Sequence, residues 1–455
     1  MPSAEVCATA ACAIDRVTRQ GQSLAKAIQE PLAKLESTRH AETRELVWGT
    51  VRWYFRYQPL INQLLYRPLH KNDRVLEALL LCACYQYEFH SAPDFAVTSS
   101  TVDACTHLKR PTYRSLVNAV LRKHLRQGGH KRLDQNGYAA TPHWLLNEFR
   151  QSWPDEWQQI ATESNQRPPQ TLRVNHRQLA RGAYITQLCR EGIPVSISPL
   201  SSSALTLHRP RPVHQIPGFD EGFVSIQDAA AQLMPCFLGP VTGQRVLDAC
   251  AAPGSKTCHL LESEPNMAAL WAIDLPERIP LIEQNLRRLG VEAVLVAGDA
   301  SQPDAWWDGE RFDAILVDAP CSGAGIIRRH PDIRLHRRPE DLSASVATQI
   351  KLLSALWTLL KPGGRLLYVT CSVLEQENDK IVDSFLTNHV DAQTKKIQRP
   401  WGRSTRHGWQ LLPGDGGGDG FYFARLERRP DQQQHAIPQQ VYNTAILQGR
   451  SAIVC

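Results

Sequence analysis

The sequence lacks the patterns by which cysteine marks a metal site or a disulfide framework. Its 12 cysteines include no C-x-x-C pair, and the closest two are Cys82 and Cys84. A chain of 455 residues can bury its cores without disulfides. The thiols are therefore expected to be free in a reducing compartment, which predicts a cytoplasmic protein without a bound metal.

Long apolar runs and a secretory leader are also missing. The most apolar stretch, residues 78–85, is far shorter than the roughly 18 residues that a membrane span requires. The first residues carry Glu5 ahead of a short apolar stretch and no basic segment, which is not the pattern of a signal peptide. Neither a membrane partner nor secretion is expected.

The charge is mildly basic overall, at +6, but one block is strongly so. Residues 106–133 hold eight Lys and Arg and no acidic residue, whereas a solvated helix surface usually mixes signs. The block predicts a polyanion partner such as RNA, and a merely solvated surface is the alternative. The phosphate contacts proposed within it are Lys109, Arg110, Arg122 and Lys123.

The pattern along the chain divides it into four parts. Apolar residues at helical spacing fill residues 1–135 and predict a bundle, with helices over residues 39–66 and 114–126. Residues 136–235 read as a small mixed α/β domain, with strands at 171–175 and 222–227. A tail at 430–455 lacks periodicity and is expected to be poorly ordered.

Residues 236–429 alternate strands with helices. Such alternation predicts a parallel, doubly wound sheet of the Rossmann type. The expected strands are 245–248, 268–274, 294–296, 312–318 and 365–370, closed by 421–425. A long helix over residues 343–360 precedes the strand at 365–370.

An acidic residue lies at the carboxyl end of each of four expected strands, where open parallel sheets bind ligands. They are Asp248, Asp274, Asp299 and Asp318. The loop at 250–257 fits neither GxGxxG nor GxxxxGK[ST], which argues against NAD and ATP. Asp274 is suited to ribose hydroxyls and Asp299 to the adenine amine, which together indicate S-adenosylmethionine. Ordinary turn chemistry is the alternative for any single Asp.

Two cysteines follow strands at the same edge, Cys321 and Cys371. A thiolate there can add to C6 of a pyrimidine and make C5 nucleophilic enough to accept a methyl group. Asp318 is a suitable partner for N3 of that base. Chemistry alone leaves open which thiol attacks. Cys82, Cys84, Cys105 and Cys258 are predicted to be small buried hydrophobic residues.

Four segments in order resemble the signature blocks of the RNA cytosine-5 methyltransferases. They are Asp248-Ala-Cys-Ala-Ala-Pro-Gly-Ser-Lys-Thr257, Asp318-Ala-Pro-Cys-Ser-Gly-Ala-Gly325, Arg328-Arg-His-Pro-Asp332 and Thr370-Cys-Ser-Val373. The chain is most similar to the bacterial 16S ribosomal RNA (cytosine-C5) branch (Sun/Fmu/RsmB-like), and its helical region, including residues 116–122, resembles the NusB-like domain of that branch. The resemblance covers nearly everything up to about residue 428.

The resemblance implies a role for individual residues. It makes Cys371 the nucleophile and gives Cys321 a part in product release. It places in the cofactor site Cys250, Ala251, Ala252, Pro253, Gly254, Ser255, Lys256, Asp274, Asp299 and Asp318. Arg328 and Arg329 of the third block are expected to contact RNA. Ser255 replaces the usual Gly, at a position where an unusual backbone angle is expected, and its effect on cofactor affinity is left open.

The expected function is methyl transfer from S-adenosylmethionine to C5 of a cytosine in 16S ribosomal RNA, by a monomer. Two alternatives are a transfer RNA substrate and a non-catalytic RNA-binding factor that keeps the fold. The second is weakened because both thiols and all four acids are intact. Zinc binding by Cys250, Cys258, Cys321 and Cys371 is disfavoured because no close ligand pair occurs.

Overall fold

The computed structural model describes residues 2–129 and 137–430. Lys131 and Arg132 of the basic block lie outside these ranges, as do residues 431–455 of the predicted tail. Within the described ranges, no helix has both the length and the apolar character needed to cross a membrane.

Residues 2–129 form the predicted helical bundle. Its α-helices are α1 (Ala4–Gln20), α2 (Leu24–Ala27), α3 (Gln29–Ala33), α4 (His40–Arg52), α5 (Tyr54–Leu64), α6 (Val75–Phe89), α7 (Asp94–His107) and α8 (Arg114–Arg126). Helix α1 is central, and its small buried residues, such as Ala10 and Ala13, let α4, α6 and α7 pack closely around it. The Ser3 hydroxyl caps the start of α1, and Gly21 in the left-handed conformation ends it.

The single helix expected over residues 39–66 is wrong. The chain leaves helical geometry at Trp53 (φ −103°, ψ +11°), which separates α4 from α5. The break redirects the chain so that Tyr57, Ile61 and Leu64 of α5 are buried in the bundle core. The apolar spacing continues across the break, so periodicity alone could not reveal it.

The middle region begins with helices α9 (His143–Ser152) and α10 (Trp157–Glu163) and continues into a small antiparallel sheet. The sheet has the order β2-β3-β1-β4. Its elements are β1 (Gln170–Val174), α11 (Arg181–Arg190), β2 (Val195–Ile197), β3 (Ala204–Leu207) and β4 (Val224–Ile226). The two expected strands correspond to β1 and β4, whereas β2, β3 and α11 were not predicted.

The third region is built on a large sheet of order β11-β12-β13-β9-β8-β5-β6-β7, with β10 paired to β13. Its elements are α12 (Met234–Leu238), β5 (Arg245–Ala249), α13 (Ser255–Ser263), β6 (Ala269–Asp274), α14 (Ile279–Leu289), β7 (Val294–Ala297), β8 (Phe312–Asp318), α15 (Ile333–His336), α16 (Pro339–Trp357), β9 (Leu360–Thr370), α17 (Asp379–Asn388), β10 (Ala392–Lys395), β11 (Arg403–Ser404), β12 (Trp409–Leu411) and β13 (Phe421–Arg428). Strands β5 to β9 are parallel, and β13 runs antiparallel to β9. The predicted Rossmann-like class is confirmed, with an antiparallel extension at one edge.

The strand at 365–370 begins earlier than expected. Strand β9 starts at Leu360, which pairs with Phe312, and helix α16 ends at Trp357. The Pro362-Gly363-Gly364 segment lies inside β9 at an irregularity in its pairing with β8, and Gly363 adopts φ +77°. A local bulge therefore absorbs residues that normally stop a strand.

Alternate residues of the central strands face opposite sides of the sheet. Leu247, Ile315 and Val317 pack beneath helices α16 and α17. Val246 and Leu316 face α12 and α13 on the other side. Strand order reverses at β5, with β6 on one side and β8 on the other, which opens a crevice at the carboxyl ends of these strands.

The segment around residues 328–334 joins the third region to the bundle. The Arg334 guanidinium, 1% exposed, donates to the carbonyls of Arg52 and Ala140 and to Asn165 Oδ1. Arg52 donates in return to the Arg328 carbonyl, and the Leu24 amide donates to Asp332 Oδ2. These bonds fix the bundle against the loop that follows β8.

Candidate active site

The crevice at the carboxyl end of the sheet holds a cavity of about 550 Å³. Three of the four predicted acids line it, and the fourth, Asp248, is fully buried. Burial raises the pKa of Asp248 to about 7, although the hydrogen bond that Thr257 Oγ1 donates to it at 2.6 Å acts to lower that pKa. The residues lining the cavity are Cys250, Ala252, Ile273, Asp274, Leu275, Arg278, Gly298, Asp299, Ala300, Ser301, Asp318, Ala319, Pro320, Cys321, Thr348, Lys351, Leu352 and Cys371.

The loop between β5 and α13 reaches this cavity through Cys250 and Ala252. Cys250 adopts a left-handed backbone, with φ +60°, and Gly254 has φ +94°. A Cβ on Gly254 would lie 3.1 Å from the Ile282 Cα, so both the angle and the packing require glycine there. The remaining residues predicted for the cofactor loop, Ala251, Pro253, Gly254, Ser255 and Lys256, do not line the cavity wall.

The unusual backbone angle expected at Ser255 is wrong. Ser255 is the first residue of α13, and the positive φ belongs to Gly254 before it. A side chain at position 255 therefore meets no backbone strain, and the departure from the family pattern gives no reason for weaker cofactor binding.

Asp274 connects the cavity with the loop. Its Oδ2 accepts a hydrogen bond from the Ala252 amide at 2.8 Å, and its Oδ1 accepts one from the Leu275 amide at 2.8 Å. Arg278 lies 3.2 Å from Oδ1 and also donates to the Ala252 carbonyl. The carboxylate thus holds the loop in shape as well as lining the cavity.

Asp299 lies across the cavity on the exposed turn after β7. Its carboxylate accepts hydrogen bonds from the Ser301 amide and hydroxyl and from Gln302 Nε2, all within 2.9 Å. Although partial burial opposes it, the hydrogen bonds from Ser301 lower the pKa of Asp299. The group is therefore held as a carboxylate, which is the form that accepts from an amine.

The two predicted thiols meet in the wall of the cavity. Cys321 Sγ and Cys371 Sγ are 3.4 Å apart, and both side chains are half-buried. The hydrogen bond with Cys371, together with burial, raises the pKa of Cys321 well above its ordinary value. The pair can therefore hold one thiol in its protonated form beside the other.

Lys256 and Asp318 form an ion pair next to the thiols, with Nζ 2.5 Å from Oδ2. Burial acts to lower the pKa of Lys256, but the charge and the hydrogen bond of Asp318 outweigh burial and raise that pKa. The charge of Cys371 raises it further. The ammonium group is thus maintained where it can stabilise negative charge on either neighbour.

Several cavity residues were not predicted from the sequence. Arg278, Ser301 and Pro320 lie near predicted positions, whereas Thr348 and Lys351 come from the long helix α16. Thr348 and Lys351 are three residues apart and share one helix face, but nothing in the sequence shows that this face closes the cavity.

Arg328 and Arg329 occupy positions unlike those expected of RNA contacts. The Arg328 side chain is buried, with Nε 2.5 Å from Asp419 Oδ1 and Nη2 bonded to the carbonyls of Gly417 and Gly418. Arg329 pairs with Asp228 and also with Asp419. These bonds favour a structural role for both arginines, and their contact with RNA stays a prediction.

The predicted phosphate contacts of the bundle differ among themselves. Lys109 and Arg122 are exposed. Arg110 pairs with Asp73 at 2.5 Å, and Lys123 Nζ is 3.3 Å from the Leu64 carbonyl. Lys109 and Arg122 are therefore the better placed of the four to meet a polyanion.

No group of three or more His, Cys, Asp or Glu side chains suited to a metal ion occurs within residues 2–129 and 137–430. In particular, Cys258 lies on the buried face of α13, packed against Ile282 of α14, and does not line the cavity that Cys250, Cys321 and Cys371 line.

Three family models match successive parts of the chain. The NusB family matches residues 7–126, the ferredoxin-like domain of RsmF/B-like methyltransferases matches residues 141–214, and 16S rRNA methyltransferase RsmB/F matches residues 235–427. The predicted classes of the bundle and of the sheet region are confirmed, and the middle region is identified as ferredoxin-like.

Curated relatives resemble the chain over most of its length. Ribosomal RNA small subunit methyltransferase B of Pseudomonas syringae pv. tomato is 41% identical over 427 residues, covering 92% of this chain and 95% of that protein. The protein of that name from Vibrio cholerae is 41% identical, covering 93% of this chain and 97% of its own.

Solved structures share the fold. The crystal structure of PH0851 is 24% identical with a TM-score of 0.78, covering 92% of this chain and 99% of its own. A methyltransferase homologue from Pyrococcus horikoshii is 26% identical with a TM-score of 0.55, covering 63% of this chain and 99% of its own. The chain belongs to the 16S rRNA methyltransferase RsmB/F family and is an S-adenosylmethionine-dependent RNA methyltransferase.

Proposed function

We propose that this enzyme methylates C5 of a cytosine in 16S ribosomal RNA through a covalent bond between Cys371 and C6 of the base. The observation that carries the proposal is the 3.4 Å approach of two thiols in the same cavity as three carboxylates. The names of the relatives, which specify the small ribosomal subunit, favour 16S ribosomal RNA over the transfer RNA alternative.

The cavity suits S-adenosylmethionine. Asp274 and Asp299 line it at separate strand ends, as a ribose partner and an adenine partner would, and the neighbouring loop has no glycine-rich phosphate cradle. Burial, reinforced by the charge of Asp274, raises the pKa of Cys250 to about 12, so this wall presents a neutral thiol. When bound, S-adenosylmethionine supplies an electrophilic methyl group.

The thiols divide the work on the base. Cys371 Sγ adds to C6, the displaced electron pair moves toward N3, and C5 becomes nucleophilic enough to take the methyl group. The C5 proton then passes to the Cys321 thiolate or to a base that Cys321 positions, the C5–H electron pair re-forms the C5–C6 double bond, and the C6–Sγ bond breaks to release the Cys371 thiolate. The raised pKa of Cys321 makes its thiolate scarce for the attack and a strong base when it forms, which suits the release step.

Asp318 and Lys256 lie beside the thiols and complete the base site. We assign Asp318 Oδ1 to the N3 edge, because Oδ2 is bonded to Lys256 Nζ. Oδ1 accepts a hydrogen bond from N3 once solvent has protonated the electron pair displaced there. The Lys256 ammonium stabilises the Cys371 thiolate before attack and when it leaves. The base must leave its stack to reach this cavity, which is easiest in a loop or single strand.

The bundle supplies RNA affinity in this proposal. Lys109 and Arg122 contact phosphates, with smaller contributions from Arg110 and Lys123. We also propose that the enzyme acts as a monomer. We propose that the reaction takes place in the cytoplasm, because a reducing compartment keeps thiols such as Cys321 and Cys371 free.

The proposal is tested by bisulfite sequencing of total RNA from cells with and without this protein. One cytosine in 16S ribosomal RNA should be protected from bisulfite conversion in cells that have the protein and converted in cells that lack it. The wild-type chain should restore the protection, and Cys371→Ala should not. Loss in a transfer RNA would replace the substrate. No change in any RNA would leave the alternative of a non-catalytic RNA-binding factor.

A further inference from the structure

The turn after Cys371 carries two buried polar residues that no step of the proposed reaction uses. Glu377 is 0% exposed and Asn378 is 3% exposed. Buried polar groups cost free energy unless their hydrogen bonds are satisfied. Their partners all lie in the two loops that carry the thiols or in elements packed directly against them.

Glu377 holds the loop of Cys321. Its Oε1 accepts a hydrogen bond from the Ser322 amide at 2.7 Å, and its Oε2 accepts one from the Ser322 hydroxyl at 2.6 Å. Gln349 of α16 lies 3.4 Å from Oε1 and donates to the Pro320 carbonyl at 2.9 Å. The residue next to Cys321 is therefore bound twice by one carboxylate.

Asn378 holds the loop of Cys371 in the same way. Its Oδ1 accepts a hydrogen bond from Thr370 Oγ1 at 2.6 Å, and its Nδ2 donates to the Ser372 carbonyl at 3.1 Å. Nδ2 also donates to Gln410 Oε1 at 2.9 Å, and Gln410 Nε2 reaches the same Ser372 carbonyl at 3.2 Å. The residues on both sides of Cys371 are thus fixed by one amide.

The two loops contact each other through two equivalent pairs of side chains, one of cysteines and one of serines. Cys321 and Cys371 approach to 3.4 Å at their sulfurs, and the serines that follow them approach to 3.4 Å at their hydroxyls. Glu377 and Asn378 are adjacent in sequence, so one short turn fixes both loops. We propose that Glu377 and Asn378 are positioning residues that set the separation of the Cys321 and Cys371 sulfurs.

The consequence for the reaction rests on the proposed function. Attack and release need two thiols at one base, so a shift of the order of 1 Å in either sulfur should cost about tenfold to a hundredfold in rate. Cofactor binding involves Asp274 and Asp299 and should be unaffected. The result is a fall in kcat without a change in the KM for S-adenosylmethionine.

The separation can be measured without catalysis by closing the Cys321–Cys371 disulfide with diamide, which takes up the two electrons and two protons released by the thiols. Glu377→Gln loses one acceptor for Ser322, and Asn378→Ala loses both bonds to the Cys371 loop without a change of charge. Each should slow disulfide formation by about fivefold or more, measured by mass spectrometry of the linked peptides. Glu375→Gln is the matched control, because Glu375 is exposed in the same turn and pairs with Lys380.

The same variants are then assayed for methyl transfer, S-adenosylmethionine binding and thermal unfolding. Slower disulfide closure with lower kcat and unchanged cofactor binding supports the proposal. Unchanged or faster closure in both variants overturns it, whatever the activity. Slower closure with wild-type methylation supports the positioning role and instead contradicts the two-thiol mechanism.

If Glu377→Gln does not fold, Asn378→Ala and Asn378→Asp carry the test. Asp at this position still accepts from Thr370 but cannot donate to the Ser372 carbonyl. Its disulfide rate should lie below that of wild type, because an Asp oxygen would face the Ser372 carbonyl and Gln410 Oε1, both acceptors, where the amide donates. Equal rates in all three proteins would overturn the proposal.

Discussion

Cysteines of the helical bundle and cysteines of the sheet edge have opposite surroundings. Cys7, Cys82 and Cys84 are at most 1% exposed, and burial raises the pKa of Cys7 to about 11 and of Cys84 to about 12. Cys321 and Cys371 are half-buried on a cavity, in contact with each other and near the Lys256 ammonium. One residue type therefore serves packing in one region and suits covalent chemistry in the other.

The difference follows from the secondary structure that carries each thiol. Helix α6 buries Cys82 and Cys84 because nearly all its faces meet other helices. Strands β8 and β9 end at the crevice, so the side chains of Cys321 and Cys371 just beyond them reach the cavity. The bundle's contribution to function therefore lies on its surface, in the exposed side chains of Lys109 and Arg122.

The strongest test of this comparison separates the two sheet-edge thiols. Cys371→Ala should abolish turnover and give no covalent RNA complex, because the attacking sulfur is gone. Cys321→Ala should still attack and methylate, and then accumulate a protein–RNA adduct that survives denaturing gel electrophoresis. Cys84→Ala is the control and should methylate at close to the wild-type rate, with some loss of stability from the cavity it leaves.

The reverse pattern, an adduct with Cys371→Ala and none with Cys321→Ala, would exchange the roles of the thiols. No adduct from either variant, with methylation persisting in both, would remove covalent catalysis while leaving the enzyme class in place.

Thiol reactivity sharpens the comparison without RNA. At pH 8 iodoacetamide should modify Cys371 at least about a hundredfold faster than Cys84, since a thiol with a pKa of about 12 is almost entirely protonated there. Alkylation of Cys84 should rise about tenfold per pH unit as pH increases toward that value, for as long as the fold persists. Mass spectrometry of labelled peptides gives both rates, and equal rates in native protein would contradict the assignment. In guanidinium chloride the two should converge.

Cofactor binding gives a smaller expected effect. Asp274→Ala should weaken S-adenosylmethionine binding by about tenfold in calorimetry, because a charge-assisted hydrogen bond contributes about 1.5–3 kcal/mol. Part of the loss should come through the loop, since Asp274 also holds the Ala252 amide. Glu277→Ala is the matched control, as Glu277 is exposed three residues away and does not line the cavity. A loss below twofold would contradict the assignment of Asp274.

Much of the fold and part of the site could be predicted from local sequence patterns. The parallel strands and their terminal acids were predictable because continuous apolar runs and their boundaries are local features. The buried ion pair of Arg328 was not predictable, because its partner, Asp419, is distant in sequence and nothing local indicates the pair. Strand β2 is three residues long and mostly exposed, so it has too little pattern to detect. Thr348 and Lys351 enter the site only through the packing of α16 over the crevice.

RNA binding by the bundle should give the smallest effect, because each phosphate interaction contributes little by itself. Replacing the exposed Lys109 and Arg122 together with Gln should weaken RNA binding a few-fold and reduce the slope of log K against log salt by about 0.7–0.9 for each phosphate that is no longer neutralised. Arg110→Gln and Lys123→Gln should change the slope less, since Arg110 pairs with Asp73 and Lys123 donates to a carbonyl. Filter binding over a salt series measures the RNA affinity and the salt slope of both sets of variants. Calorimetry should show that their affinity for S-adenosylmethionine is unchanged. An unaltered slope in Lys109→Gln/Arg122→Gln would mean that this face is only a solvated surface, and RNA recognition would then have to come from the sheet region or from residues outside the described ranges.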